Sequence, residues 1–230
     1  MKRVRLIGLA IMAMLVLSAV AAATASAENV ETLPVPTSKA PLTFSSKNNN
    51  EKNVLEGEVA GSAIECKTST SSGELTSAAL GTGTITFAGC KSAISGAKCN
   101  SLSDSAGTIL VTVGWHLVAL KISSVLRLAI VATLVGLLHV ECGATLLILV
   151  GNNVIGLFTK VAASGVETET GEVAFTQTKG VQELKTCELD KAFCSGKTFG
   201  LYAELGKGRE KAGEQSEDTI TLGKKAAFDY

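Results

Sequence analysis

Six cysteines are the residues of this chain whose type and spacing bear most directly on chemistry: Cys66, Cys90, Cys99, Cys142, Cys187 and Cys194. Structural zinc sites use close ligand pairs such as C-x2-C, and dithiol redox sites use the same close spacing. No two of these cysteines are spaced in that way. The spacing therefore favours structural disulfide bonds, and no metal or other cofactor is expected.

The pairing of the six cysteines follows less directly, because an even set allows many connectivities. Cys90 and Cys99 enclose a short, turn-like segment, and Cys187 and Cys194 enclose another. The remaining two, Cys66 and Cys142, each follow an apolar residue and a glutamate. We therefore expect the pairs Cys90–Cys99, Cys187–Cys194 and Cys66–Cys142.

Catalytic signatures are scarce. The chain has two histidines, His116 and His139, and no G-x-S-x-G nucleophile elbow. Carboxylate pairs for glycoside hydrolysis exist, but aromatic residues that would stack on sugars make up only 4% of the chain. Trp115 lies in an apolar run and is expected in the core. The sequence predicts no enzyme, and a hydrolase that uses His139 or His116 is the weakest hypothesis.

The N-terminus has the pattern of a secretory signal peptide. Lys2, Arg3 and Arg5 precede an apolar run over 6–23, and Ala25-Ser26-Ala27 forms a cleavage site for small residues. We expect cleavage after Ala27, whereas a retained membrane anchor is the alternative. Export to an oxidising environment agrees with disulfide formation. The expected location is extracellular, either released or at the cell surface.

The formal net charge of the whole chain is zero, and loss of the signal peptide leaves it mildly acidic. Nucleic-acid binding would require a basic stripe, so that class of partner is excluded. We expect three regions: the signal peptide 1–27, an extended leader 28–53 that contains Pro34, Pro36 and Pro41, and one β-rich domain 54–230. The leader includes a candidate short strand at 42–44.

Short strand-like segments separated by glycine recur along the domain. The clearest is 82–88, where threonine alternates with apolar residues, and 172–177 and 197–204 alternate as well. This pattern predicts an all-β, antiparallel sandwich or barrel. The charged segment 206–218 is expected to form a solvated loop or one short helix.

The segment 107–158 is the most apolar part of the domain. Charged residues and histidines interrupt it, and it lacks the roughly 20 apolar residues of a spanning helix. We therefore expect no stable membrane insertion of the mature chain. Buried core strands, or one core helix over 125–138, explain the segment better, and a lipid-lined pocket is the remaining alternative.

Several motifs together resemble a known family. They are Ile64-Glu65-Cys66, the run Thr84 to Cys90, Trp115-His116-Leu117-Val118, His139-Val140-Glu141-Cys142-Gly143 and Asp218-Thr219-Ile220-Thr221. The chain resembles a large paralogous family of uncharacterised, secreted, β-rich proteins of soil actinobacteria over most of 55–228. The resemblance implies an exported β-rich domain and assigns no catalytic residue.

Two functions fit these expectations. The first is a disulfide-stabilised extracellular β-domain with a structural, adhesive or recognition role, for which a cell-envelope component or a protein is the expected partner. The alternative is a carrier of an apolar small molecule, held in a barrel interior lined by 107–158. An unfilled internal cavity would favour the carrier, whereas a tightly packed core would exclude it.

Overall fold

The computed structural model describes residues 35–36, 41–49, 52–58, 63–77, 79–150, 153–187, 191–195, 197–204 and 208–230. The predicted signal peptide, with cleavage after Ala27, lies outside these residues and stays a prediction. The described part is built from strands and one helical turn, which are, in chain order: β1 Val35–Pro36, β2 Leu42–Asn48, β3 Asn53–Gly57, β4 Ala63–Cys66, β5 Thr68–Leu75, β6 Leu80–Ala88, β7 Lys91–Ser92, β8 Cys99–Ser101, β9 Thr108–Ile122, β10 Val125–Leu134, β11 Leu138–Cys142, β12 Thr145–Val150, β13 Asn153–Lys160, β14 Thr168–Phe175, β15 Gln177–Thr178, β16 Val181–Gln182, α1 Lys191–Cys194, β17 Leu201–Glu204, β18 Arg209–Ala226 and β19 Phe228–Asp229.

Eight of the described strands close into an antiparallel barrel, which we call the first tier. Its order is β14-β13-β10-β9-β6-β5-β2-β18, and β18 pairs back onto β14. The register places residues 216–226 of β18 in this barrel, between β14 and β2. Closure leaves the barrel without unpaired sheet edges. The predicted all-β fold is confirmed, and of the two architectures expected, the barrel is the one observed.

The remaining strands of this large sheet form a second tier at one end of the barrel. Its order is β7-β4-β3-β18-β17-β12-β11-β8, and it uses residues 209–215 of β18. An isolated bridge between Lys91 and Lys98, with a backbone hydrogen bond from Cys99 to Cys90, brings β7 and β8 together. The chain therefore passes between the tiers repeatedly, and β18 runs through both without a break.

The apolar segment 107–158 supplies β9 to β13, and the expectation of buried strands is confirmed for β9, β10 and β13. The alternative of a core helix over 125–138 is wrong, because Val125–Leu134 is strand β10. Its inward residues Leu128 and Ile130 face the barrel core, while the outward residues Ala129 and Val131 are also fully buried. Burial on both faces produces a continuous apolar run, which removes the alternation typical of a strand.

A short chain segment outside the barrel covers that outward apolar face. We call the described residues between 184 and 199 the strap. Phe193 and Phe199 of the strap pack with Val118, Val131 and Ile155 of the barrel wall. The disulfide Cys187–Cys194 closes the strap on itself, as predicted.

The predicted leader 28–53 contains a strand of the barrel. Leu42–Asn48 forms β2 and pairs with β5 on one side and β18 on the other. This corrects the expectation of a linker over that range: Leu42 is fully buried and Phe44 packs against the core, while Thr43, Ser45 and Lys47 alternate with the inward residues. Pro41 directly precedes β2 and therefore marks the start of this barrel strand.

The other two disulfides differ from the predicted pairs. The bonds are Cys66–Cys90 and Cys99–Cys142, so the predicted Cys90–Cys99 and Cys66–Cys142 are wrong. Cys90 and Cys99 are neighbours through their backbones, but each side chain bonds to the strand on its other side. Cys142 lies directly opposite Cys99 in the register of β11 and β8. The repeated apolar-Glu-Cys pattern marks two equivalent strand ends, β4 and β11, and each has its own partner.

This connectivity can be tested by tryptic digestion without reduction. Lysine and arginine residues separate the four cysteines into the peptides 53–67, 68–91, 99–121 and 128–160. Mass spectrometry should find 53–67 linked to 68–91, and 99–121 linked to 128–160. A linked pair 68–91 with 99–121 would contradict the observed cross-strand arrangement.

The third disulfide should stabilise the strap. The double change Cys187→Ser and Cys194→Ser removes the cross-link that closes this short loop. In the chain-entropy model, its loss lowers the free energy of unfolding by about 2–3 kcal/mol. The released strap should also uncover the apolar face around Val131, which increases the fluorescence of an added hydrophobic dye. Urea unfolding measures the first effect, with Ser195→Ala as a control. Unchanged stability and dye binding would show that the disulfide does not hold the strap.

Candidate functional site

A cavity of about 110 Å³ lies between the inward faces of the two tiers. One water molecule requires roughly 10–15 Å³ by such a measure, so the space is several times larger than a single water. Its walls are mainly apolar, and they include, from β9, β10 and β14, Ile109, Val113, Trp115, Ile130, Ala132 and Phe175. The segment 107–158 thus supplies much of the lining, as the carrier hypothesis requires.

Trp115, the only tryptophan of the chain, forms part of this wall and is 7% exposed. Its ring meets Phe44 edge to face, with ring centres 6.0 Å apart. The indole lies over Gly83, where a Cβ would come within 2.8 Å of Nε1. Trp115 Nε1 has no hydrogen-bond partner in the described part of the chain. Trp115 also borders a smaller cavity of about 40 Å³ beside Phe158.

A polar stripe interrupts the apolar lining on strand β18. The inward side chains of β18 are Ala212, Glu214, Ser216, Asp218 and Ile220, which alternate with outward residues. Ser216 donates a hydrogen bond of 3.1 Å to Glu214 Oε1. Both carboxyl groups line the cavity. They are the only charged residues among its described lining.

The stripe lies where β18 changes partners between the tiers. On one edge, the register with β17 ends at Ala212 and the register with β14 begins at Ser216. The backbone N–H of Glu214 falls in this gap and donates 3.0 Å to the side-chain oxygen of Gln182. Polar side chains are therefore needed at the junction, because the strand ladders there leave backbone groups without strand partners.

A second group of polar side chains faces the stripe from β2, β3 and β5. Ser69 Oγ lies 2.9 Å from Asp218 Oδ1 and 3.1 Å from Asn53 Oδ1, and the Ser69 backbone N–H donates to Asn48 Oδ1 at 2.9 Å. Asn53, only 3% exposed, also lines the cavity, and its Nδ2 has no hydrogen-bond partner among the described residues. The site therefore combines an apolar space with two carboxyl groups and one amide.

Burial raises the pKa of both carboxyl groups. Burial first, and the negative charge of Asp218 second, raise the pKa of Glu214 to about 7, although the hydrogen bond from Ser216 opposes them. Burial also raises the pKa of Asp218 above its ordinary value, against hydrogen bonds from Ser69 and Ser216 that lower it. Desolvation disfavours the charged form of a carboxyl group, which explains both directions.

The histidines singled out from the sequence lie apart from this site. The ring of His116 stacks on Phe193 of the strap, with ring centres 3.8 Å apart. His139 belongs to β11, where it alternates with the lining residues Leu138 and Val140. Neither histidine is a lining residue. Within the described residues, no three His, Cys, Asp or Glu side chains are grouped to hold a metal ion.

Sequence reasoning missed Glu214 and Asp218. The segment 206–218 was expected to be a solvated loop or a short helix, but residues 209–218 belong to strand β18, which corrects that expectation. The signal was present in the alternation Glu214-x-Ser216-x-Asp218, which has the period of a strand. The many charged residues of the segment instead predicted exposure, because charged residues are usually exposed.

The class defined by this fold and site is a disulfide-rich β-barrel domain with a polar stripe in an apolar interior. No family model matches the chain, and comparison with curated proteins and with solved structures finds no match. In the part of the chain that the structure describes, no helix is both long and apolar enough to cross a membrane.

The raised pKa of Glu214 predicts a pH dependence of stability. A carboxyl group that holds its proton more tightly when folded contributes stability below its ordinary pKa of 4.5, and this contribution is lost as the pH rises to about 7. The free energy of unfolding should fall over this range by an amount on the order of 2 kcal/mol. Urea unfolding at the two ends of the range measures it.

Glu214→Gln removes the titration and should reduce this pH dependence. Glu169→Gln is the matched control, because Glu169 is exposed on β14. An equal loss of stability with rising pH in the wild type and in Glu214→Gln would contradict the assignment.

Proposed function

We propose that this protein is a non-catalytic extracellular β-barrel domain that binds a small, largely apolar molecule in its interior. The observation that carries the proposal is the cavity between the tiers. An engineered apolar cavity of about 150 Å³ binds benzene or xenon, so a mainly apolar space of about 110 Å³ has a suitable size for a small molecule. This function ranks above a structural, adhesive or recognition role, because those roles do not require an internal cavity.

The disulfide bonds support both the location and the binding role. Three intramolecular disulfides fit an oxidising extracellular environment. Cys66–Cys90 ties β4 to the residue before β7, and Cys99–Cys142 joins β8 to β11; Cys66 itself lines the cavity, so the first bond restrains its wall. A restrained wall cannot collapse readily into the empty space, and a preformed site saves the cost of ordering it on binding.

The fluorescence of Trp115 can report binding, because Trp115 is the only tryptophan of the chain and lines the cavity. Titration of the secreted protein with benzene should change the Trp115 emission with a saturable curve. Ala132→Leu fills the cavity from β10 and should weaken benzene binding at least tenfold. A mutant that still bound benzene with the affinity of the wild type would place the probe elsewhere.

Two further variants complete this test. Ala163→Leu adds the same atoms at an exposed position and should leave benzene binding unchanged. Val154→Leu adds volume to the same cavity from β13, and it replaces Ala132→Leu if that protein does not fold. The absence of any saturable change in the wild type would overturn the proposed function.

A further inference from the structure

The charges in the cavity restrict the ligand class further. Glu214 and Asp218 are the only charged residues in its described lining, and neither forms an ion pair with a basic side chain in the described residues. A carboxylate ligand would add a third acidic group to an apolar space. A ligand with a positive charge would instead provide the partner that both side chains lack.

Asn53 supplies independent evidence for a missing polar group. Its side chain is almost fully buried at the cavity wall, and Nδ2 has no partner among the described residues. Buried polar atoms are nearly always hydrogen-bonded, so an unpaired amide at a cavity wall marks a position where a bound molecule can supply the partner.

The hydrogen bonds that Ser69 can form depend on whether Asp218 is protonated. Ser69 Oγ is close to Asn53 Oδ1 and to Asp218 Oδ1, but a hydroxyl group carries a single hydrogen. Protonated Asp218 can donate to Ser69, which then donates to Asn53 Oδ1. If Asp218 is ionised instead, Ser69 donates to Asp218, and Asn53 must turn its amide so that Nδ2 donates to Ser69. Asn53 Oδ1 is then left without a donor.

We propose that the ligand is a small amphipathic amine, whose apolar body fills the cavity and whose ammonium group binds between Glu214, Asp218 and Asn53. This inference rests on the proposed binding function. The ammonium group donates to the two carboxylates and to the turned Asn53 Oδ1, which gives each polar atom a partner. Binding at a pH near 7 therefore displaces to solvent the proton that Glu214 holds in part of the molecules, and no other bond changes.

The surroundings of the two carboxyl groups add no competing charge. The side chains that face them across the cavity from β2, β3, β5, β14 and β17 are uncharged, and they include Ser46, Asn53, Leu55, Ser71, Phe175 and Leu201. On β18 itself, Glu217 is the one further acidic group that acts on Asp218. Among the described residues, the charged groups that shift the pKa of Glu214 and of Asp218 are acidic, which favours a cationic ligand.

Three probes of equal chain length test this proposal: n-hexylamine, 1-hexanol and hexanoate. At pH 8, Trp115 emission should give a dissociation constant for hexylamine at least tenfold below that for hexanol, and no binding of hexanoate. At pH 5, where Glu214 is largely protonated because its pKa is about 7, the preference for the amine should fall to less than threefold. Ionic strength is kept equal in every titration.

Glu214→Gln should reduce the preference for hexylamine over hexanol at pH 8 at least threefold. Ser216 can still donate to the glutamine oxygen, so the local structure is retained. Glu169→Gln on the outside of β14 is the control and should keep the preference of the wild type. Asp218→Asn is a second variant if Glu214→Gln does not fold.

The outcomes separate the two proposals. Binding of hexanol with equal or tighter affinity than hexylamine would overturn the amine proposal and leave the apolar binding function standing. Tighter binding of hexanoate than of hexanol or hexylamine would also overturn the amine proposal. If neither benzene nor any of the three probes changes Trp115 emission, both proposals fail.

Discussion

The structure depends on one continuous strand, β18, that belongs to both tiers. β18 pairs with β17 and β3 along its first half and with β14 and β2 along its second half. A strand has only two edges, so it must exchange both neighbours at one place to serve both tiers. At that place the ladders are interrupted, the walls separate and a space remains. The cavity and its polar stripe follow from this exchange.

The exchange also explains why acidic residues lie inside. Backbone groups in the gap need hydrogen-bond partners, and short polar side chains can reach them. The side-chain oxygen of Gln182 accepts a hydrogen bond from the Glu214 N–H, and that of Asn48 accepts one from the Ser69 N–H. Neutral side chains would satisfy these needs without the cost of burying charge. The carboxyl groups therefore exceed what the fold requires, which favours a functional explanation for them.

Particular residues show how far the sequence predicts this structure. The alternation at 82–88 and 172–177 correctly indicated strands, since each has one face in the core and one outside. The run 128–132 did not alternate, because the strap buries the face that would otherwise be polar. The pairing of Cys66 with Cys90 depends on which strands become neighbours, and a similar local pattern at Cys142 carries no information about that. Glu214 and Asp218 were concealed because their burial arises only when distant strands close around β18.

Energetics connect the cavity with its charges. By the cost per volume measured for core cavities, an empty space of about 110 Å³ lowers stability by roughly 2–3 kcal/mol. Partly desolvated acidic groups and an unpaired amide add to that cost. A fold that only needed stability would remove both by placing larger apolar residues on β18 and β10. One occupant with an apolar body and a cationic end relieves both costs at once, since it fills the volume and neutralises the stripe. Under the proposed function, the disulfides of the second tier restrain the chain around the cavity, which lowers the cost of ordering the site on binding.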